Sequence, residues 1–356
     1  MNNYTPFLKF KTCEISALKA LKNHELVDIT PFFDLATKNE IQASDVENTI
    51  LKGVRKYELN FKDANGFYID DYDLDDSLRI NNGIVYEFLI KEFTQTSFIP
   101  VIGLDRTQER IDVISQYKSN KMIKSNTIAL RLNREDFLSY VINEDDIRDI
   151  LEPLIDGVTP LYNNIHLILD CRICSDSDVT LLSNNIIKFL IDIQKDFDFS
   201  KIIITGSSIP PSIADVLPVL SDTHLIRNEC EIFERVNHEL HNVEIGDYAT
   251  VSPNYSDVNI PVTALYKIMT PKLVYTYKGH HYFIRGGAIE SHPRGAKQYD
   301  DMSITLINNT FYRGHSYSIG DAYITDKSQG KGKNAQPSSI NKFLVNAHIT
   351  FMLNDY

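Results

Sequence analysis

Eight short apolar runs recur at nearly even spacing along the chain, separated by longer amphipathic stretches. The runs are rich in Ile, Val, Phe and Tyr and lie at residues 4–10, 28–35, 66–74, 98–105, 126–133, 164–171, 201–208 and 243–251. From first to last their average spacing is about 34 residues, which suits one strand and one helix per repeat. Between them, stretches such as 14–26 and 178–197 carry apolar residues three and four apart, as amphipathic helices do. This rhythm predicts an α/β fold, a (β/α)₈ barrel of the TIM type.

Two other architectures with a similar period compete with the barrel. A helical repeat array would need longer, less β-branched segments than these runs. An open doubly wound sheet is the stronger rival, but no Gly-rich G-x-G-x-x-G turn follows the first run. A length of 356 residues suits one barrel with insertions.

The rhythm breaks after the eighth run. Residues 266–289 and 303–324 are predicted to be β-rich, with turns at Lys278-Gly279 and Asn308-Asn309, and 340–354 is predicted to be the eighth helix. The predicted division is therefore a barrel of residues 1–251 plus 337–356, with a β-rich insertion at 252–336. Because loops that follow barrel strands emerge at the carboxyl-terminal face, we expect this insertion to form a lid over the barrel mouth.

Composition limits the classes of partner. The formal net charge of −12 argues against broad non-specific binding of nucleic acid, although a local basic pocket stays compatible with it. No apolar run approaches the length of a membrane span, and the four cysteines suit free thiols, so we expect a cytoplasmic protein without a membrane partner. Cys171 and Cys174 have C-x-x-C spacing, but no second pair or nearby His pair follows. The pattern therefore favours Cys171 in a buried strand end and Cys174 in the loop after it, over a zinc or redox site.

Charged and hydroxyl side chains follow nearly every predicted strand. In a barrel these strand ends share one rim, where active sites form. An Asp in this position also often caps the next helix, so a purely structural role stays open for each one. The candidate catalytic residues on this rim are Asp70, Asp105 and Asp170. The candidate ligand-binding residues are Lys9, Lys11, Arg131, Arg172, Ser207, Ser208, Asp247 and Tyr248.

Three chemistries are compatible with such a rim. Clustered carboxylates can hold a divalent metal such as Mg²⁺ beside Lys or Arg, which suits phosphodiester hydrolysis. Two carboxylates in different environments can instead act as acid and base, as in glycoside hydrolysis. Ser207 and Ser208 could contribute to an anion cradle, or simply form a turn into a helix.

The segment "RGHSYSIGDAY", residues 313–323, combines many polar groups with two glycines. As part of the predicted lid, it would bring His315 to the mouth as a general acid or base and Arg313 as a planar anion-binding group. Arg285 has a similar setting before Gly and is a further candidate ligand residue. The structural alternative is that the tyrosines of the segment pack together and that Arg313 forms a salt bridge.

Several motifs together resemble the beta family of proteins of phages, satellite phages and bacterial genomes. They are "YTPFLKFKTCEISALKAL", "DITPFFDL", "GSSIP", "LIRNECEIFERV", "EIGDYATV" and "YRGHSYSIGDAYI", spread over almost the whole chain. The resemblance implies a cytoplasmic protein encoded among mobile-element or phage-defence genes, and it implies no particular reaction. Two functions stay open: an enzyme, such as a metal-assisted phosphodiester hydrolase, that binds a phosphate-bearing ligand or nucleotide, or a non-catalytic protein that recognises a phage protein or a partner encoded nearby.

Overall fold

A closed barrel of eight parallel strands forms the centre of the computed structural model. The structure describes residues 4–35, 41–61, 66–93, 95–254 and 269–356, without the side chains of residues 337 and 338. The barrel strands, in chain order, are β1 (Tyr4–Lys9), β2 (Phe32–Asp34), β3 (Phe67–Asp70), β6 (Phe98–Ile102), β7 (Thr127–Asn133), β8 (Asn164–Ile173), β9 (Lys201–Ser207) and β11 (Glu244–Asp247). Each lies within, or overlaps closely with, one of the eight apolar runs, so the predicted TIM-type barrel is confirmed.

Helices surround the barrel. Those between β1 and β11 are α1 (Thr12–Lys19), α2 (Asn23–Val27), α3 (Ala43–Phe61), α4 (Val85–Glu92), α5 (Gln108–Ser119), α6 (Tyr140–Ile155), α7 (Val179–Ile193) and α8 (Asn228–Leu240). A short hairpin of β4 (Arg79–Ile80) and β5 (Gly83–Ile84) precedes α4. No helix in the described part of the chain is long and apolar enough to cross a membrane.

Side-chain alternation along each strand separates the barrel interior from the helix-facing core. Phe7, Tyr68, Ala129 and Ile168 belong to a buried cluster inside the barrel. Their strand neighbours, such as Leu8, belong to the larger core between barrel and helices. Because strand side chains alternate and both faces are buried, the strands read as continuous apolar runs in the sequence.

A second sheet lies outside the barrel. It is antiparallel, with the order β10 (Ser221–Ile226), β13 (His280–Arg285), β12 (Lys272–Tyr277). The hairpin β12–β13 forms where the sequence predicts strands, and its turn contains Lys278 in the left-handed region, at φ 44°. The third strand, β10, comes from the segment after the seventh barrel strand, so this sheet is not built from the predicted insertion alone.

Two further segments of the predicted β-rich insertion are helical instead. They are α9 (Gln298–Ile307) and α10 (Ile319–Ser328), and α11 (Pro337–Asn354) follows as the eighth barrel helix. The run "SITLI" suggests a strand because most of its residues are β-branched. Helical spacing nevertheless buries Tyr299, Met302 and Leu306 in one cluster with the hairpin, and this tertiary burial outweighs the local propensity.

The quoted segment 313–323 does not cover the mouth. Its Arg313 and Tyr317 bond to the carbonyl oxygens of Ala347 and Thr350, and Tyr317 also bonds to Asp355, so the segment packs along α11. Tyr312 and Tyr323 pack against the buried cluster that contains Tyr299 and Leu306, and the Tyr323 ring stacks on Phe343. The expectation of a lid made by these residues is therefore wrong. Residues 255–268 of the predicted insertion lie outside the described residues.

Candidate ligand-binding site at the barrel mouth

A buried arginine lies at the centre of the carboxyl-terminal end of the barrel. Strand β7 directs Ala129, Arg131 and Asn133 inward while Ile128, Leu130 and Leu132 face the helices, so alternation alone brings Arg131 into the barrel. The Arg131 side chain is 1% exposed. Moving a guanidinium group out of water costs several kcal/mol unless acceptors pair with its N–H groups. The side chains around Arg131 provide these acceptors.

Arg131 donates to side chains from four different strands. Its Nη1 bonds to Asp34 Oδ1 at 2.7 Å and to Asp70 Oδ2 at 2.8 Å. Its Nη2 bonds to Asp170 Oδ2 at 2.6 Å and to the Tyr248 hydroxyl at 2.9 Å. The Tyr248 hydroxyl in turn donates to Asp170. Arg131 therefore connects β2, β3, β8 and the residue directly after β11 at the mouth.

Two more arginines reach this centre, Arg106 from the turn before α5 and Arg110 from the first turn of that helix. Arg106 Nη2 and Arg110 Nη2 each donate to Asp70, both at 2.7 Å. Arg106 also pairs with Asp105, and Arg110 with Asp71. Both guanidinium groups therefore turn back toward the carboxyl end of β3.

A partly exposed layer lies above the buried centre. The Tyr72 ring is close to three guanidinium carbons, those of Arg106, Arg131 and Arg172, at 4.9, 4.8 and 4.6 Å from its centroid. Asp73 accepts from Lys9 Nζ at 2.9 Å and from Arg172 Nη2 at 3.1 Å. We call the whole set the mouth cluster: Lys9, Asp34, Asp70, Tyr72, Asp73, Arg106, Arg110, Arg131, Asp170, Arg172 and Tyr248.

The carboxylates of the mouth cluster differ in proton affinity. Burial alone would raise the pKa of Asp70, but the guanidinium groups of Arg106, Arg110 and Arg131 lower it well below the usual range. Asp170 is lowered in the same way by Arg131 and Arg172 against burial. Burial outweighs Arg131 and Lys9 at Asp34 and raises its pKa. Asp70 and Asp170 are therefore carboxylates at neutral pH.

The donor set does not fit a divalent metal. Among the residues that the structure describes, no group of three or more His, Cys, Asp or Glu side chains is arranged to hold a metal ion. Both oxygens of Asp70 accept from guanidinium groups. These carboxylates therefore already have cationic partners where Mg²⁺ would need free oxygens.

Arg172 has an unusual backbone for its residue type. Its φ is 51°, in the left-handed region, just where the pairing of β8 with β9 shifts register. Its N–H donates to Asp170 Oδ1 at 2.9 Å. A non-glycine residue in this region costs about 1 kcal/mol or more, and such conformations concentrate at functional sites. The strained backbone places the Arg172 side chain over Tyr72.

Six of the predicted site residues belong to the mouth cluster. They are Lys9, Asp70, Arg131, Asp170, Arg172 and Tyr248. Asp105 lies at its edge, where its carboxylate accepts from Arg106 and from Asn133 Nδ2 at 3.1 Å. Lys11 lies beyond β1 as the N-cap residue of α1.

The two serines predicted to bind a ligand form hydrogen bonds that stabilise turns. Ser207 Oγ bonds to the carbonyl oxygen of Val251 and accepts from the N–H of Ile209. Ser208 Oγ donates to Glu229 Oε2 at 2.6 Å and accepts from the N–H of Asn228, at the start of α8. These bonds match the turn interpretation and not an anion cradle.

Asp247 points out of the barrel. It accepts from the Tyr4 hydroxyl at 2.6 Å, lies 2.9 Å from His348 Nε2 and pairs with Arg227 at 2.5 Å. Its neighbour Tyr248 points inward because side chains alternate along the strand. Asp247 therefore joins the barrel to α11 and is not a mouth residue, contrary to expectation.

The remaining three predicted residues also lie away from the mouth cluster. Arg285 bonds to Thr270 and to the carbonyl oxygen of Leu217. Arg313 is held by the carbonyl oxygen of Thr276 and by the rings of Tyr275, Tyr317 and Phe351. His315 is exposed on the same segment. Hydrogen bonds to carbonyl oxygens and aromatic packing therefore hold Arg313, and among the described residues it forms no salt bridge.

Sequence reasoning missed Arg106, Arg110 and Tyr72. Arg106 and Arg110 follow the fourth barrel strand with a spacing of four, which could have indicated a shared direction toward the rim. Tyr72 lies between acidic residues directly after β3, and nothing in its local sequence predicts that it covers three arginines. Cys171 and Cys174 are buried free thiols, as predicted, and a Cβ at Gly206 would lie 2.6 Å from Cys174 Sγ.

Comparison with known proteins yields one match. The family model described as Beta protein matches residues 4–354. No curated protein and no solved structure matches the chain.

Proposed function

The chain belongs to the Beta protein family, and from that premise we propose that it is a cytoplasmic component of a phage–host conflict system that binds an anionic, phosphate-bearing ligand at the barrel mouth. The family implies a gene setting among mobile-element or phage-defence genes, and this supports the role in phage–host conflict. The geometry of Arg172 supports the second part.

One nitrogen of Arg172 carries the ligand proposal. Nη2 bonds to Asp73 and to Asn254 Oδ1, whereas Nη1 is shielded from solvent and has no hydrogen-bond partner among the described residues. Arg134, at the end of the neighbouring strand β7, likewise has an unpartnered Nε. A phosphate oxygen would satisfy such donors, since guanidinium groups bind phosphate in a planar, directional way.

The mouth cluster supports binding and not metal-assisted phosphodiester hydrolysis. Asp70 and Asp170 are fixed as carboxylates in pairs with arginines, which leaves no fitting metal site among the described residues. Beneath a bound anion, these pairs would hold Arg131 and Tyr72 in position and so orient Arg172.

Calorimetric titration with inorganic pyrophosphate and ATP tests the proposal, with adenosine as the uncharged comparison. Arg172→Gly removes the guanidinium group and suits the left-handed backbone, so the variant should stay folded. We expect its affinity for either phosphate compound to fall about tenfold or more, as for loss of a charge-assisted hydrogen bond. Arg172→Lys should also bind more weakly, because it keeps the charge but loses the planar fork.

Arg285→Lys is the matched control, because Arg285 lies outside the mouth cluster. Its affinity should equal that of the unaltered protein. If neither pyrophosphate nor ATP binds, or if Arg172→Gly binds both as tightly as the unaltered protein, the proposed ligand site is wrong.

The exposed apolar start of α6 favours the second candidate function, recognition of a partner protein. Val141 is 75% and Ile142 78% exposed, and Asp145 and Asp146 follow on the exposed side of the same helix. The partner that fits is a segment with apolar and basic side chains. Co-purification with the product of an adjacent gene, lost in Val141→Lys/Ile142→Lys, would support this function, and retention of the complex in that variant would contradict it.

A further inference from the structure

A cavity of about 630 Å³ lies at the opposite end of the barrel from the mouth. It opens between α8, α11 and the β12–β13 turn, next to the first residues of β11. Its volume is in the range of pockets that enclose small organic ligands. None of the residues of the mouth cluster lines it, so this site is independent of the proposed function.

The inner lining of the cavity is apolar. Val243, Ile245 and Met352 line it with little exposed surface, at 8%, 4% and 1%, and the partly exposed Phe233 ring from α8 provides apolar surface that a ligand can cover. Such a surface gains free energy when an apolar group displaces water from it, by about 25 cal/mol for each Å² covered. The cavity therefore suits a ligand with an apolar body.

The charged lining of the cavity is mainly acidic. Glu234, Glu244 and Asp355 contribute three carboxylates, against one ammonium group from Lys278. Glu244 already has a cationic partner, because its carboxylate lies 2.8 Å from Lys201 Nζ. The other two carboxylates have no such partner in the cavity wall.

Glu234 and Asp355 bond to neutral donors instead. Glu234 Oε1 accepts from the Tyr356 hydroxyl at 3.2 Å, and Asp355 Oδ2 accepts from the Tyr317 hydroxyl at 2.7 Å. These bonds orient the carboxylates from opposite helices without neutralising them. A cation between α8 and the end of α11 would gain attraction from both groups.

We propose that this cavity binds a small organic cation, an alkyl- or arylammonium compound whose apolar body packs against Phe233 and Val243 while its ammonium group faces Glu234 and Asp355. An organic anion would meet two uncompensated carboxylates, and a neutral analogue would lose the charged contact. The selectivity expected is therefore for amines over neutral or acidic compounds of the same shape.

Calorimetric titration with tryptamine and hexylamine tests this inference, and 3-methylindole and indole-3-acetate are the neutral and anionic analogues. We expect saturable binding of at least one amine, and binding of both analogues that is weaker by about tenfold or more. Glu234→Gln/Asp355→Asn should weaken amine binding to a similar degree. Asn237→Trp, which places a large ring in the cavity, should abolish it.

Glu231→Gln is the matched control, because Glu231 lies on α8 but outside the cavity, where it pairs with Arg235. It should bind amines like the unaltered protein, and melting temperatures should verify that each variant is folded. The inference is overturned if neither amine binds at about 10 mM, if the analogues bind as well as the amines, or if the double variant binds amines unchanged.

Discussion

Arg131 illustrates how one residue can organise the end of a barrel. Its guanidinium group makes pairs with Asp34, Asp70 and Asp170, all almost completely buried. Each bond is charge-assisted, and water does not compete for it. These ion pairs depend on one another, because loss of the Arg131 cation would take a partner from three buried carboxylates at once.

Arg131→Met should therefore lower the free energy of unfolding by about 3–5 kcal/mol. Arg148→Met is a matched control: Arg148 also pairs with three carboxylates, those of Glu144, Glu152 and Asp196, but its side chain is 31% exposed. Its loss should cost less than about 1 kcal/mol. Urea denaturation of both variants provides the comparison, and equal losses would show that burial does not set the importance of the Arg131 pairs.

At the scale of elements, close contact between helices replaces the predicted lid. Helix α10 contacts α11 at Gly320, where an added Cβ would lie 2.1 Å from the carbonyl oxygen of Phe343 and 2.7 Å from Ala347 Cβ. The N–H of Gly320 also donates to Asn346 Oδ1 at 3.0 Å. The glycine in "SIGDAY" therefore allows two helices to approach, and not a loop to approach a ligand.

Gly320→Ala should destabilise the protein by about 1–3 kcal/mol, because the added methyl group overpacks the α10–α11 contact. Helix propensity alone would favour Ala by about 1 kcal/mol, so the sign of the effect distinguishes the two contributions. Gly279→Ala, where no atom lies within 4 Å of the added Cβ, should leave the melting temperature nearly unchanged. A stabilised Gly320→Ala protein would contradict the close contact.

For the whole molecule, a buried polar chain joins the barrel to the outer sheet. Thr276 Oγ1 lies 2.6 Å from His348 Nδ1 and 3.0 Å from His281 Nδ1, and His348 Nε2 reaches Asp247. Burial lowers the pKa of both histidines, with Arg227 acting in the same direction, while Asp247 opposes the shift without reversing it. Burial also lowers the pKa of His166, inside the barrel, to about 4.

Stability should therefore fall as the pH drops below about 6.5, the usual pKa of histidine in an unfolded chain. In this range the unfolded chain binds protons that the folded protein does not, so each buried histidine contributes a loss of up to about 1.4 kcal/mol per pH unit. Urea denaturation at pH 7.0 and 5.5 measures the effect. His348→Gln should show a smaller loss, whereas stability that is constant or higher at pH 5.5 would contradict the prediction.

The barrel and much of its rim follow from local features of the sequence. Alternation with a period near 34 residues is a local property, repeated eight times, and it predicted every barrel strand. The charged residues at strand ends were also predictable, because parallel strands bring their carboxyl ends to one face. Lys9, Asp70, Arg131, Asp170 and Arg172 follow from this argument.

Which polar groups meet depends on how distant parts of the chain pack together. Asp247 and Tyr248 are adjacent, yet one faces α11 and the other the mouth, which depends on the exact strand register. Residues 303–307 and 319–324, within the stretch predicted to be β-rich, belong to helices because they pack against the hairpin and α11. Tyr72 lies close to three arginines because of the paths that the loops take. Local residue propensity does not predict those paths. These contacts join residues far apart in the chain. No short stretch of sequence therefore predicts them.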